Sequence, residues 1–380
     1  MYDPGQKKIA LCMGLNDYYE HGIARGVVRY AKEHPSWKLY GYGWMFRPVD
    51  QLEFWQGDGI ITRVESREEA DRLSALKLPV VDVAGAYIRT DFHQVNNDDF
   101  LTGIKAGEYL ISCGFKHMAF CGVKNVGWSK CRLEGFTKSI GPVCPNISVF
   151  EQSLSWWEHL EESANLEEWL ETLEYPTGIF ACNDTAGVKL SELCRQKEIP
   201  IPETIAILGV DNEDILCELS SPSLSSITLD CQSIGYRAAS LLDEILIHPD
   251  KHLKKGPGIL IPPGEINERE STSVFTCEDK LVEQAVRFIR AHGIEGINVG
   301  DVLDYIPVSR RNLEIRFKKE RERTLLEEIL RVRIDHAKTL LKRTNLTIAE
   351  ISDESGFGTL QRFHLLFRKY IGCTPGQYRG

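Results

Sequence analysis

Side chains able to grip a polyhydroxylated ligand recur in this sequence at one kind of place, directly after a short apolar run. Asn16 follows "KIALCM" within "MGLNDYYEHG", and Arg63 follows "GIIT". Trp128 and Arg132 stand in "VGWSKCRLEGF", Asn183 and Asp184 close "TGIFACND", and Asp211 closes "IAILGVD". Carboxylate and guanidinium groups make strong charge-assisted hydrogen bonds to hydroxyls, and an indole face covers the apolar side of a sugar ring. These seven residues are the candidate ligand site. A blander reading stands beside each Asp: it also caps helices, and "NDTAGVKLSELC" reads as the start of one. Arg132 is read at a helix start too, where the macrodipole disfavours a cation. It therefore calls for a specific partner.

A second set of chemistry lies at the other end of the chain. "SRRNLEIRFKK" (from Ser309) and "TLQRFHLLFRK" (from Thr359) align at an offset of 50 residues. Ser309 and Thr359 are placed to cap. Leu313 and Phe317 lie four apart on one helix face, as do Phe363 and Phe367 on the other. Arg310, Arg311, Glu314 and Lys318 fall on the other faces of the first segment, and Gln361, Arg362, Leu365 and Lys369 on those of the second. Upstream, Val299 and Val302 map to Ile348 and Ile351, and "SGFG" supplies Gly356 as a helix stop. Each copy is a short helix, a tight turn and a second helix with a partly basic outer face, the helix-turn-helix pattern. An α-helix fits the DNA major groove, where Arg pairs with guanine and Gln with adenine.

Charge agrees with this division. The chain carries −10 overall, yet residues 278–380 hold 19 Lys or Arg against 15 Asp or Glu, leaving −14 for the rest. A basic domain on an acidic body points to nucleic acid as the tail's partner. The 11 Cys form no C-x-x-C pair, so no metal site and no disulfide framework is expected. No G-x-S-x-G, H-E-x-x-H, Walker or G-x-G-x-x-G motif occurs, which argues against an enzyme and against a cofactor. No run approaches 18 apolar residues, so no membrane partner is expected. "MYDPGQKKIALCMGLND" lacks a signal-peptide pattern, and a cytoplasmic location follows.

The elements that must position these residues are legible as a pattern. Over the first 275 residues apolar runs alternate with helical stretches such as "GIARGVVRYAKEH" and "TGIKAGEYLISCG". That pattern predicts parallel sheets buried on both faces. The length predicts two lobes: one from about 7–114 and 227–250, the other from about 116–226 and 256–273, with a crossover near Cys113. Ligands of such folds bind in the crevice outside the strand ends. From 276 to 380 no strand-like run survives, which predicts an all-α domain opening with a cap at Thr276. Between its two copies, "TLLEEILRVRIDHAKTLLKR" reads as one helix of about 30 Å with a stripe of Leu326, Leu330, Ala337 and Leu341. The stretch is close to the roughly 34 Å between successive major-groove faces.

The tail resembles the AraC-type family of bacterial transcription regulators over its last hundred or so residues. "IAEISDESGFGTLQRFHLLFRKYIGCTPGQYR" carries that family's Gly-Phe turn, its Phe-x-x-x-Phe-[RK] helix and its Gly-x-[ST]-Pro-x-x-[YF]-R ending. "KKERERTLLEEI" departs from it, lacking the Gly-x-[ST]-Pro that follows the first recognition helix. The resemblance implies base contacts from Arg310, Arg311, Glu314, Gln361, Arg362 and Leu365. It implies phosphate contacts from Ser309, Thr359, Lys318, Lys319 and Lys369. His364 fits either role, or none.

The body is similar to LacI-type regulators and periplasmic sugar-binding proteins, on "NNDDFLTGIKAGEYL", "RLEGF", "FACNDTAG" and "LGVDNEDI". This resemblance places ligand contacts on Arg132, Asn183, Asp184 and Asp211. A sensor of this kind ahead of an AraC-type reader resembles the xylose-operon activators. That implies D-xylose as effector, a homodimer on repeated half-sites of double-stranded operator DNA, RNA polymerase as a partner, and activation of pentose catabolism genes. Two other readings stay open: a repressor relieved by sugar, and a sugar-modifying enzyme with a DNA-targeting tail.

Overall fold

The computed structural model describes residues 6–42, 52, 55–86, 92–158, 164–249, 258–273, 279–321, 323–344 and 346–379. The chain divides into two compact units, Met1–Val274 and Phe275–Gly380.

The first unit is built on two six-stranded sheets. Its strands are β1 (Lys7–Cys12), β2 (Trp37–Tyr42), β3 (Gly59–Thr62), β4 (Val80–Asp82), β5 (His93–Asn97), β6 (His117–Val123), β7 (Ser148–Gln152), β8 (Thr177–Ala181), β9 (Ile205–Asp211), β10 (Ser225–Thr228), β11 (Ile259–Ile261) and β12 (Ile266–Asn267). Its helices are α1 (Tyr18–Glu33), α2 (Arg67–Ala75), α3 (Asp99–Ser112), α4 (Gly127–Ile140), α5 (Leu154–Glu158), α6 (Ala164–Glu171), α7 (Asp184–Gln196), α8 (Asp214–Leu219) and α9 (Cys231–Ile247). One sheet runs β11-β5-β4-β3-β1-β2 and the other β12-β10-β9-β8-β6-β7. All pairs are parallel except β10 with β12. Central strands such as β8 are buried along their whole length, as helix-covered parallel strands require.

The two-lobed α/β architecture is the expected one, but two lobe assignments change. Helix α3 packs on α4 and β8 of the second sheet, so the first crossover lies between β5 and α3 and not near Cys113. Gly135 permits this: a Cβ there would stand 1.9 Å from the Phe100 carbonyl oxygen. Strand β11 pairs with β5 and so belongs to the first sheet, although 256–273 reads as second-lobe sequence; only β12 joins the second sheet, through β10. Helix α9 returns to pack on α1 and on strands β3, β4 and β5.

The second unit is all-helical: α10 (Lys280–His292), α11 (Val299–Tyr305), α12 (Arg310–Arg321), α13 (Leu325–Arg343), α14 (Ile348–Glu354), α15 (Leu360–Ile371) and α16 (Pro375–Arg379). The expected cap at Thr276 lies outside the described residues. Among those described, Asp279 caps α10 by accepting a hydrogen bond from the Leu281 N–H. The single stripe expected on α13 is in fact two. Leu325 and Ile329 join a core with Val302, Leu313 and Phe317. Leu330, Ile334, Ala337 and Leu341 join another with Ile351, Phe363 and Phe367. Leu326 belongs to neither and is exposed.

Candidate functional site

Several buried charged residues of the first unit lie just past the carboxyl ends of its strands. Arg132 is only 4% exposed. It lies inside α4, one turn past the Gly127 start, so the expected helix-start position is corrected. Its Nε donates to Asp99 Oδ1 at 2.9 Å, and its Nη2 lies 2.8 Å from the same oxygen. Nη1 donates to the Cys182 carbonyl. The Trp128 ring centroid is 5.0 Å from the guanidinium. Asp99, in the first turn of α3, is thus the partner that Arg132 called for, though nothing in its own local sequence marked it. A buried pair of this kind is held in place by hydrogen bonds, because each charge is costly to bury alone.

Asp211 ends β9 with φ +108, and Asn212 follows with φ +52. Two successive non-glycine residues at positive φ store strain that the surroundings must hold. Asp184 does the holding. Ser226 Oγ donates to Asp184 Oδ1 at 2.6 Å, while the Glu213 N–H and Cys217 Sγ reach Oδ2 at 2.9 and 3.4 Å. The Asn212 N–H donates in turn to Ser226 Oγ at 3.0 Å. Asp184, expected against ligand, is 1% exposed, and both its oxygens accept from protein donors. Asn183 is the cap of α7, its Oδ1 accepting from the Ala186 N–H at 2.9 Å.

No described donor reaches the Asp211 carboxylate. Burial pushes its pKa well above the ordinary carboxylate range; Arg132 pulls it down, and Asp184, Asp17 and Asp99 push it up. These interactions bring Asp211, Arg132, Asp99 and Asp17 into one electrostatic neighbourhood. Nearby, the buried amide oxygens of Asn97 and Asn212, at the ends of β5 and β9, have no hydrogen-bond partner. Orphaned buried polar groups at strand ends are what a hydroxylated ligand would satisfy.

Arg63 forms a second cationic corner. Its Nη1 lies 3.1 Å from both Asp17 and Glu20, and its Nη2 lies 3.1 Å from Glu65. Burial opposes its charge, but these carboxylates outweigh burial and raise its pKa. The Tyr19 ring lies 5.7 Å from its guanidinium. Asn16 is exposed, and its backbone N–H donates to Glu20 Oε2 at 2.9 Å. Asp17, Tyr19, Glu20 and Asp99 were not singled out from the sequence. The first three lie within the quoted "MGLNDYYEHG", and only the folded position of Arg63 shows why they matter.

The second unit carries the expected duplicate. Helices α11 and α14 each have 7 residues, α12 and α15 each 12. Leu313, Phe317, Phe363 and Phe367 are fully buried, which fixes the opposite faces of α12 and α15 as outer surfaces. Arg310, Arg311, Lys318, Lys319, Gln361, Arg362, His364, Leu365 and Lys369 are exposed. Arg310 Nε donates to Glu314 Oε1 at 2.9 Å, so these two candidates engage each other. Thr359 Oγ1 accepts from the Arg362 N–H at 3.3 Å, a helix cap. Ser309, exposed, precedes α12 and its carbonyl accepts from the Leu313 N–H.

What sets the two modules against each other was not visible in the sequence. Arg333, 3% exposed on α13, donates from Nε to the Gly293 carbonyl at 2.7 Å and from Nη2 to the Ile297 carbonyl at 2.6 Å. The turn of the second module meets the same loop: a Cβ on Gly356, at φ +69, would lie 2.4 Å from the Ile294 carbonyl oxygen. Where the Gly-x-[ST]-Pro is missing, buried Glu328 takes over, pairing with Arg323 at 3.3 Å and Arg321 at 3.9 Å. Thr324 and Glu327 close a capping box there.

Among the described residues no group of His, Cys, Asp and Glu could hold a metal ion, and no helix is long and apolar enough to cross a membrane.

Three protein families match successive parts of the chain. Residues 8–97 match the XylR N-terminal domain, 108–272 the periplasmic binding protein-like domain, and 303–380 a helix-turn-helix domain. The chain is 31% identical to the xylose operon regulatory protein of Escherichia coli (strain K12), over 98% of this chain and 96% of that protein. It is 32% identical to the protein of the same name from Haemophilus influenzae, over 98% of both. A solved structure described as that of the xylose-binding transcription activator xylR is similar at a TM-score of 0.69 and 30% identity, covering 99% of this chain and 98% of that one. A LacI family transcriptional regulator from Enterococcus faecalis V583, solved with ribose, shares the fold of 71% of this chain, and all of its own, at a TM-score of 0.58 and 23% identity.

Proposed function

We propose, for a chain that belongs to the family of the xylose operon regulatory proteins, a transcription activator that binds D-xylose in the cleft of its first unit and operator DNA with its second. The observation that carries the sugar site is the buried Arg132–Asp99 pair beside Trp128, with no donor among the described residues reaching the Asp211 carboxylate. In this reading Asp211, Arg132 and the Asn183 amide take the sugar hydroxyls, and Trp128 covers the ring. Asn16 and Arg63 complete the site from the other lobe. Sugar shifts the protein toward its active arrangement only by binding that arrangement more tightly.

The second unit reads DNA with α12 and α15. Arg310, Arg311, Glu314, Gln361, Arg362 and Leu365 face bases, and Ser309, Thr359, Lys318, Lys319 and Lys369 hold phosphates. The exposed faces opposite their buried pairs support this assignment. A homodimer that engages RNA polymerase in the cytoplasm completes the proposal. Ten described cysteines, all free thiols, are consistent with a reducing compartment. On α8, Ile215 and Leu219 form an exposed apolar pair that suits contact with a second copy.

Calorimetric titration with D-xylose, L-arabinose, D-ribose and D-glucose tests the sugar site. D-xylose binds tightest, and Asp211→Ala weakens it by about 1.5–3 kcal/mol, one charged hydrogen bond. Binding that is unaffected by Asp211→Ala rejects the site. A reporter driven from the operator rises with xylose for an activator; expression that is high without protein and released by sugar marks a repressor instead.

A further inference from the structure

The two reading helices share a feature of which the contacts proposed above use only one half, Leu365. On α12 Ile315 is 59% exposed, and on α15 Leu365 is 71% exposed. They are counterparts in the duplication, 50 residues apart. The other exposed apolar residues of α15, Leu360 and Tyr370, correspond to Arg310 and Glu320 of α12. Among the described residues, position 315/365 is thus the one place where both helices turn an aliphatic side chain to solvent.

Its placement is also shared. At roughly 100° per residue, this position lies opposite the midpoint of the buried pair, Leu313 with Phe317 and Phe363 with Phe367. It is the centre of each outward face. Cations flank it: Arg311, Lys318 and Lys319 on α12, and Arg368 and Lys369 on α15. An aliphatic group amid cations contributes to neither core nor solubility. Cations at the rim fit phosphates, which leaves the centre to meet the floor of the groove. The apolar feature of that floor is the C5-methyl of thymine.

We propose that Ile315 and Leu365 each pack on a thymine methyl, in the two successive groove segments that one chain reads. They supply a specificity contact that the charged candidates cannot make, since arginine and glutamine read hydrogen-bonding edges. This rests on the reading of the second unit as a DNA binder. It assigns Ile315 a role and gives Leu365 a defined target.

The experiment takes the full chain and the duplex it selects from a randomised library. Each thymine is replaced in turn by deoxyuridine, which removes the methyl and nothing else. In each half-site, two positions about one helical turn apart lose affinity by about fourfold, as expected for one methyl leaving an apolar contact. Ile315→Ala abolishes the sensitivity at one position and Leu365→Ala at the other, each sparing its counterpart. Both residues are exposed, so folding is not at stake, and Lys319→Ala, which lowers affinity without altering either methyl effect, serves as the comparison. A selected duplex with no methyl-sensitive thymine, or sensitivities that survive both substitutions, overturns the inference while DNA reading stands. Failure to select any duplex overturns the DNA reading itself, and this inference with it.

Discussion

Asp211 is held in a conformation that a non-glycine residue adopts only when its neighbours insist, and Asp184 with Ser226 supplies the insistence. Sequence placed both acids at strand ends and set both against ligand, with a helix cap as the blander reading. The two differ in that the Asp184 carboxylate is covered by protein donors, while no described donor reaches that of Asp211. That same crowding makes the cleft sensitive to pH. Burial raises the pKa of Asp99 and Asp211 above the ordinary carboxylate range, and it raises Asp184 to about 7. A carboxyl whose folded pKa is raised stabilises the fold at low pH, and that contribution is lost as pH climbs through the raised value. Asp211→Asn removes one such group. Its melting temperature, relative to the unsubstituted protein without sugar, rises progressively as the pH increases above about 4. A difference that stays constant across pH 4 to 8 would show that Asp211 is not strained by its neighbours.

At the scale of elements, the two helix-turn-helix copies were legible because each repeats one apolar spacing, and because capping residues stand at matching places. Strands β1, β3, β6, β8 and β9 were equally plain, since a strand buried on both faces reads as an apolar run. Strand β5 was not: "HQVNN" buries Asn96 and Asn97, and polar residues hide a strand from any hydrophobic pattern. Helix α13 was legible as a helix but not as the shared wall of two cores, because only packing tells Leu326 from Leu325. Gly356 ties the second turn to the loop of the first module. Gly356→Ala meets a backbone carbonyl and adopts a left-handed conformation that costs a non-glycine residue about 1–2 kcal/mol. Calorimetric melting should show the transition of the second unit lowered by at least that much, with the first unit unchanged. Affinity for a two-half operator should fall more than affinity for a single half-site. Equal losses on both would mean that the turn stabilises its own module without setting the spacing.

For the whole molecule the division of charge matters most. An acidic body and a basic tail in a chain of net charge −10 confine DNA affinity to one unit. Binding that unit to phosphates releases counterions, so affinity falls steeply with added salt. If xylose acts on DNA binding through the equilibrium between two arrangements, the coupling is reciprocal: saturating operator tightens xylose by the same factor by which saturating xylose tightens operator. Paired titrations check this, and unequal factors would break the two-state scheme. The amino-acid sequence by itself determined the order of parts, a parallel α/β sensor followed by a duplicated helical reader, because periodic burial and charge are local quantities written residue by residue. Tertiary structure alone decided that Asp99 partners Arg132, that Ser226 donates to Asp184, and that Arg333 locks the two readers together. Those depend on distances between residues 33 to 42 apart in the chain, and no local pattern carries such a distance until the backbone has closed upon itself.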